Sequence, residues 1–489
     1  MCGIVGIVDA GGASFPLYYA LYALQHRGQE SAGISTFDGL LLYKHKEQGL
    51  VSEIFNEEIL RSLIGTAGIG HVRYPTTGSK IPENIQPFNF TFRGQKVAIA
   101  HNGNLVNAQS LRDEFEARGQ IFCTTSDTEV ISNIIADEFR KSEDVLEAVQ
   151  VCMQKLKGSY SVVMMVDAEI WAFRDPLGIR PLCLGRTERG HVVCSESVAV
   201  DALAGTFLRD VRPGELVHIT PEGIESLMVA EASHKAHCIF EYVYFARADS
   251  VIDGRLVYDV RRRIGKALHE EAPVPADQVS PVPDSGTAHA AGYAEASGIR
   301  FLESLMKNRY IGRTFIMPTQ KGREAAVRMK LNPIRGHLND RSVVLIDDSI
   351  VRGTTSRRII NIMREAGVRE VHMRIGSPAI RAPCYLGVDM PTRAELIASD
   401  LDTEEVRASI GATSLHHITL DSLLAAVGIP REDLCVGCLT GEYPLPISGE
   451  CCCPRTLRCV ARSYQSGLET FSKEASPVET PPAEIFQKN

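Results

Sequence analysis

The 489-residue chain has no excess of positive charge: 52 Lys and Arg stand against 60 Asp and Glu, a formal net charge of −8. A general nucleic-acid partner leaves a basic footprint, so none is expected. No run of about eighteen apolar residues occurs, which argues against a membrane span. The N-terminus lacks a basic stretch followed by an apolar one, so no secretory signal is expected. No solenoid-type repeat is visible. Without a sign of secretion, thirteen cysteines point to thiol chemistry or metal binding, not to a disulfide framework. These exclusions predict a soluble, cytoplasmic protein with enough apolar content for two or three domains.

Residues 2–230 alternate short β-rich runs, such as Val97–Ala100, Ser161–Val166 and His191–Cys194, with two amphipathic helical stretches near 16–25 and 128–140. Val211–Ile219, containing Arg212-Pro213-Gly214, reads as a turn entering a late strand. From about 255 the pattern becomes helix (Val257–Glu270), strand (Gln278–Val282), helix (Thr287–Ser297). Strand Ser342–Asp347, helix Thr355–Glu365 and strand Glu370–Ile375 follow. That alternation predicts a parallel α/β sheet. The final forty or so residues carry Pro, Ser and Glu without a period and read as a mobile tail.

The second residue is Cys2, in Met1-Cys2-Gly3-Ile4. Removal of the methionine, which Gly3 favours sterically, would unite a thiol nucleophile and an α-amine base in one residue. The competing reading is a small apolar residue opening a strand, since Ile4-Val5 and Ile7-Val8 look like one. Four loop-like segments bear on the choice: Gln25–Gly33 with Arg27, Gly70–Tyr74 with Arg73, His101-Asn102-Gly103-Asn104, and Thr124–Glu129 with Asp127. Singly each is weak; His101–Asn104 could be a plain turn and Arg73 a structural partner for any carboxylate. In this order and spacing, together with Cys2-Gly3-Ile4, they resemble the class II glutamine amidotransferase domain, an N-terminal-nucleophile hydrolase with an αββα sandwich. The resemblance implies that Cys2 is the nucleophile, that Asn102 and Gly103 hold the oxyanion, and that Arg73 and Asp127 grip the two charged ends of glutamine. Arg27 would bind or order that site. His26, His71 and His101 are expected to be structural.

Val343–Thr355 is the most specific string: an apolar strand, the paired acids Asp347-Asp348, then Ser349, Arg352, Gly353, Thr354 and Thr355 opening a helix. Backbone N–H groups and hydroxyls there suit phosphate, and the acids suit ribose hydroxyls, directly or through a divalent ion. The Gly-Lys-Ser/Thr ending of a Walker loop is missing. The string resembles the phosphoribosyl pyrophosphate signature of type I phosphoribosyltransferases. Ser285, in Val282–Thr287, suits a pyrophosphate-facing turn. Lys307–Phe315, with Arg309 and Tyr310, leads to a basic segment ending near Lys330 that reads as a lid.

Both halves in this order resemble the amidophosphoribosyltransferase family over about residues 2–445. The resemblance implies a glutamine amidotransferase domain at 2–233, a phosphoribosyltransferase domain at 234–445 and a tail at 446–489. It further implies Mg²⁺ on Ser285, Asp347 and Asp348, feedback by purine nucleotides, and a homotetramer or homodimer. A rival class is a non-catalytic sensor of phosphoribosyl pyrophosphate, which would not need Cys2, Arg73, Asn102 and Asp127 intact. Cys435-Val436-Gly437-Cys438 has a metal-like spacing, though a lone C-x-x-C is also a redox pair. One branch of the family holds a 4Fe-4S cluster on four cysteines, and Cys238, Cys384, Cys435 and Cys438 fill the matching positions; four thiolates suit iron–sulfur or zinc, and the resemblance favours one 4Fe-4S cluster. Cys451, Cys452, Cys453 and Cys459 read as spare thiols of the tail. Cys123, Cys152, Cys183 and Cys194 read as core.

Overall fold

The computed structural model describes residues 1–74, 81–308, 331–390 and 392–447. The expectations for Arg309, Tyr310, Lys330, Cys451, Cys452, Cys453 and Cys459 fall outside these residues. Met1–Leu445 form one compact unit.

Strand Gly3–Asp9 is buried along its whole length, between Ala67–Arg73 and Gly190–Cys194 in a seven-stranded antiparallel sheet. Its two faces explain why it is apolar throughout rather than alternating. Val5 and Ile7 pack with Leu17 and Leu21 of helix Ser14–Ala23, while Ile4 and Val8 pack with Ala100 and Val163 of a second sheet. That second sheet has six antiparallel strands, with Gln95–Leu105 and Gly158–Val166 paired near one edge. Its outer face is covered by helices Asp127–Ser142 and Val145–Lys155, through Val130, Ile134 and Val149 against Val162 and Phe173. The order is helix, sheet, sheet, helix, the expected αββα sandwich.

Two sequence expectations change. This half carries more than two helices; Ala108–Ala117 and Val145–Lys155 are also helical. Ala108–Ala117 buries only Phe115, so its apolar stripe is too thin to read. His71–Arg73 and His101–Asn104 are not loops or turns but the C-terminal parts of strands Ala67–Arg73 and Gln95–Leu105. Helix Asp127–Ser142 starts one residue earlier than expected because the Ser126 side chain accepts the Thr128 N–H, capping it.

The second half carries four parallel strands in the order Gln278–Pro281, Ser342–Asp347, Glu370–Ile375, Ser414–His417. Helices Thr287–Ser297 and Thr354–Glu365 provide the crossovers. One apolar cluster joins Met1 and Ile179 to Ile239, Val260, Val344 and Leu434, so the two halves share a core.

Candidate active site

Cys2 opens the central strand and is 8% exposed. Its N–H donates to Asn102 Oδ1 at 3.1 Å, and its Sγ lies 3.8 Å from the Tyr74 carbonyl oxygen. Asn102 comes from the facing sheet and is fully buried. Its Oδ1 is engaged, while its Nδ2 has no hydrogen-bond partner. A buried amide donor left open beside a thiol is costly unless something else fills the site. Gly103 follows with φ +154°, and a Cβ there would stand 2.1 Å from Ser159 O, so no other residue fits.

Met1 is present and buried, its Sδ meeting the Arg180 guanidinium. Burial pulls its α-amine down to about 5. The Cys2 nitrogen is therefore an amide here and becomes an amine only after Met1 is removed.

Of Arg27, Arg73 and Asp127, the first contacts Cys2 directly, while Arg73 ends strand Ala67–Arg73 beside the Cys2 strand and Asp127 opens helix Asp127–Ser142. Arg27 is buried and donates to Cys2 O at 2.9 Å. Its Nη1 donates to Glu196 at 2.5 Å and to Glu241 at 2.9 Å, and its Nη2 to Glu241 at 2.7 Å. These bonds fit a group that orders the nucleophile. Arg73 Nη1 lies 3.3 Å from Glu30. Asp127 Oδ2 accepts the Leu105 N–H at 3.0 Å, and Oδ1 lies 3.5 Å from His101. Burial works against the Asp127 carboxylate, yet His101 and the surrounding N–H groups outweigh it and hold its pKa below the usual range. Burial, with Arg73 alongside, pushes His71 well below its ordinary value.

Strand Ser342–Asp347 delivers the paired acids to the rim of a cavity of about 540 Å³. Ser285, Asp347, Asp348, Ser349, Arg352, Gly353, Thr354 and Thr355 all line it. Gly353 has φ +70°, a backbone conformation that favours glycine, and turns the chain into helix Thr354–Glu365. Arg352 also pairs with Glu395. Burial, then the neighbouring Asp348, pushes Asp347 well above the ordinary carboxylate range. Two adjacent acids that resist joint ionisation call for a cation or a hydrogen-bonding diol. Tyr74, whose carbonyl faces the Cys2 thiol, lines the same cavity.

Cys238, Cys384 and the Cys435/Cys438 pair converge from three segments. Cys238 and Cys435 are register partners in a short parallel pair, and Val388 N–H donates to Cys384 Sγ at 3.4 Å. Burial raises the thiols of Cys238, Cys435 (to about 12) and Cys438, with neighbouring cysteines of the group adding to it. Among the described residues no group of three or more His, Cys, Asp or Glu is already arranged as a metal grip. The donor set is nonetheless that of a soft-metal site, and Arg180 acts on Cys238 and Cys384 as a nearby positive charge. Cys152, Cys183 and Cys194 are buried as expected, but Cys123 is exposed. It lies on the approach to helix Asp127–Ser142, where its N–H donates to Glu129.

Sequence reasoning missed Glu196, Glu241 and Arg180. No local pattern marks them: Glu241 meets Arg27 across 214 positions.

A second-residue cysteine bonded to a buried asparagine amide within an αββα sandwich, joined to a parallel sheet with an acidic phosphoribosyl-type loop, defines a two-part glutamine amidotransferase. Residues 71–202 match the model of the glutamine amidotransferase domain. The chain is 51% identical over 454 residues to the amidophosphoribosyltransferase of Methanothermobacter thermautotrophicus, covering 92% of this chain and 95% of that one. It is 44% identical to the Bacillus subtilis amidophosphoribosyltransferase, covering 94% and 97%. The solved B. subtilis glutamine phosphoribosylpyrophosphate amidotransferase, complexed with ADP and GMP, superimposes with a TM-score of 0.85 at 44% identity, over 91% of this chain and 98% of that one. The chain belongs to the amidophosphoribosyltransferase family.

Proposed function

We propose that this enzyme releases ammonia from glutamine at Cys2 and delivers it to C1 of 5-phosphoribosyl 1-pyrophosphate, giving 5-phosphoribosylamine, pyrophosphate and glutamate, the first committed step of purine synthesis. The observation that carries the reading is Asn102, with Oδ1 on the Cys2 nitrogen and a buried Nδ2 that has no hydrogen-bond partner. After loss of Met1, the Cys2 amine, with an unperturbed pKa near ~8, takes the thiol proton. The thiolate adds to the side-chain amide carbon of glutamine. Asn102 Nδ2 and the Gly103 N–H donate to the resulting oxyanion. The ammonium of Cys2 returns its proton to the leaving nitrogen, ammonia departs, and water hydrolyses the thioester. Arg73 binds the substrate α-carboxylate and Asp127 its α-ammonium, with Arg27 holding Cys2 in place.

In the second site Asp347 and Asp348 take the ribose hydroxyls, and Ser349 with Arg352–Thr355 cradles phosphate. Arg309, Tyr310 and Lys330 belong to the same proposal as lid residues. Mg²⁺ would be held by Ser285, Asp347 and Asp348, and would supply charge neutralisation to the departing pyrophosphate. Cys238, Cys384, Cys435 and Cys438 would hold one 4Fe-4S cluster with a structural task, since neither half-reaction moves electrons. Iron and sulfide counts on anaerobically purified protein test that assignment. Purine nucleotides act as feedback inhibitors in this reading, which the ADP and GMP of the B. subtilis structure support. Residues 2–233 and 234–445 are the two catalytic domains, the chain assembles as a homotetramer or homodimer, and it works in the cytoplasm. No described helix is long and apolar enough to cross a membrane.

The test follows glutamate and pyrophosphate together, with glutamine, phosphoribosyl pyrophosphate and Mg²⁺, in wild type and Cys2→Ala. Matched release, with the variant keeping only the ammonia-dependent reaction, is expected. Glutamate without pyrophosphate overturns the acceptor, and neither product restores the sensor reading.

A further inference from the structure

Four charged side chains lie in a continuous buried row beside the nucleophile: Glu196, Arg27, Glu241 and Arg180, each at most 2% exposed at the side chain. Isolated, any of these charges would be expensive to bury. Here each carboxylate serves more than one partner. Glu241 spans Arg27 at 2.7 and 2.9 Å and faces Arg180 at 3.5 Å. Glu196 accepts from Arg27 at 2.5 Å, meets His26 Nε2 at 2.7 Å, and accepts the Arg247 N–H at 2.9 Å and the Ser250 hydroxyl at 2.5 Å. Arg27 Nε in turn donates to the Cys2 carbonyl. Both carboxylates act on the guanidinium that meets the Cys2 carbonyl.

We propose that Glu196 and Glu241 are positioning residues for the glutaminase reaction, clamping Arg27 from two sides so that the Cys2 backbone, and with it the thiol and the future α-amine, stays aligned with Asn102. The proposal rests on Cys2 being the nucleophile. The two clamps are not equivalent in origin. Glu196 lies two residues beyond the end of strand Gly190–Cys194, which pairs with the strand that follows Cys2, whereas Glu241 opens the short π-helix Glu241–Phe245 that leads into the transferase half. Each half of the molecule thus supplies one carboxylate to the same guanidinium. A shift of about 1 Å in a nucleophile costs on the order of 10²-fold in rate, which sets the expected size of the effect.

The experiment compares Glu241→Gln, Glu196→Gln and Glu241→Asp with wild type and Cys2→Ala in the full-length enzyme. Three readouts are taken: glutamine-dependent kcat and KM, ammonia-dependent turnover, and the rate at which iodoacetamide alkylates Cys2, followed by mass spectrometry. Expected is an approximately 100-fold fall in glutamine-dependent kcat for the Gln variants with glutamine KM within about threefold, ammonia-dependent turnover within about threefold, and slowed Cys2 alkylation. Glu241→Asp, which keeps the charge, restores part of the loss. Ser250→Ala, which removes one donor to Glu196 and leaves the Arg27 contacts, gives a milder fall of the same kind and serves if a Gln variant does not fold. Glutamine-dependent kcat and alkylation at wild-type rates overturn the proposal, as does a parallel fall of both activities, which marks a merely structural role. Failure of the underlying reading looks different: Cys2→Ala would keep its glutamine-dependent rate.

Discussion

Replacing Asn102 with Asp separates the two ends of one side chain. The acceptor that meets the Cys2 N–H at 3.1 Å survives, and only the unpartnered Nδ2 donor is lost. Asn102→Ala would be a poorer experiment, since it also strands the Cys2 N–H, at about 1–3 kcal/mol for an unsatisfied buried donor. One oxyanion donor is worth about 2.7–4 kcal/mol of transition-state stabilisation, on the order of 10²–10³ in kcat. The new carboxylate also faces the developing negative charge, so the lower figure is a floor. Glutamine-dependent kcat of Asn102→Asp is expected to fall at least about 100-fold, with glutamine KM little changed because the donor acts on the transition state. Ammonia-dependent pyrophosphate release stays at the wild-type rate. Steady-state assays with glutamine and with ammonium chloride, in parallel, read both. A fall of less than about fivefold in the glutamine-dependent rate, with the ammonia rate intact, refutes the assignment of Nδ2 to the oxyanion.

Asp347→Asn copies the shape of the protonated acid that burial and Asp348 already favour, so thermal unfolding should stay within a few degrees of wild type. Phosphoribosyl pyrophosphate turnover should fall at least about 100-fold, because the anionic partner for the cation and ribose is lost. His417 is half-buried at the end of a strand of the second half's sheet, with Nδ1 3.2 Å from Ser377 O, and desolvation lowers its pKa from 6.5 to about 4. A histidine whose folded pKa is depressed binds protons more readily when unfolded, so its contribution is complete above pH 6.5 and drains as pH falls toward 4. The loss over that window is about 3 kcal/mol. Denaturant midpoints at pH 7 and pH 4.5 should therefore converge more closely in His417→Asn than in wild type; equal pH dependence would refute it.

The strands and helices around the transferase loop were legible because a fully buried parallel strand writes itself as a short apolar run. Ser342–Asp347 and Glu370–Ile375 match residue for residue. The same signal misled at His101–Asn104. Gly and Asn there look like a turn, but both serve a strand whose neighbour, Ser159, approaches too closely for any side chain. The candidates Cys2, Arg27, Arg73, Asn102 and Asp127 each sit in a short local segment that the sequence displays. Glu196 and Glu241 do not, because an ordinary glutamate becomes informative only when folding buries it against a distant arginine. The exposed position of Cys123 was equally illegible, since small apolar character does not reveal which face of a loop is covered.

Tyr74 belongs to two addresses at once. Its carbonyl oxygen is the near neighbour of the Cys2 sulfur, and the same residue forms part of the wall of the phosphoribosyl cavity. The thiol's surroundings and the cavity wall are thus joined through a single residue of chain, with no relay of intermediate side chains between them. On the proposed assignment of the two sites, a shared residue of this kind would give a local means of linking glutamine cleavage to occupancy of the second cavity.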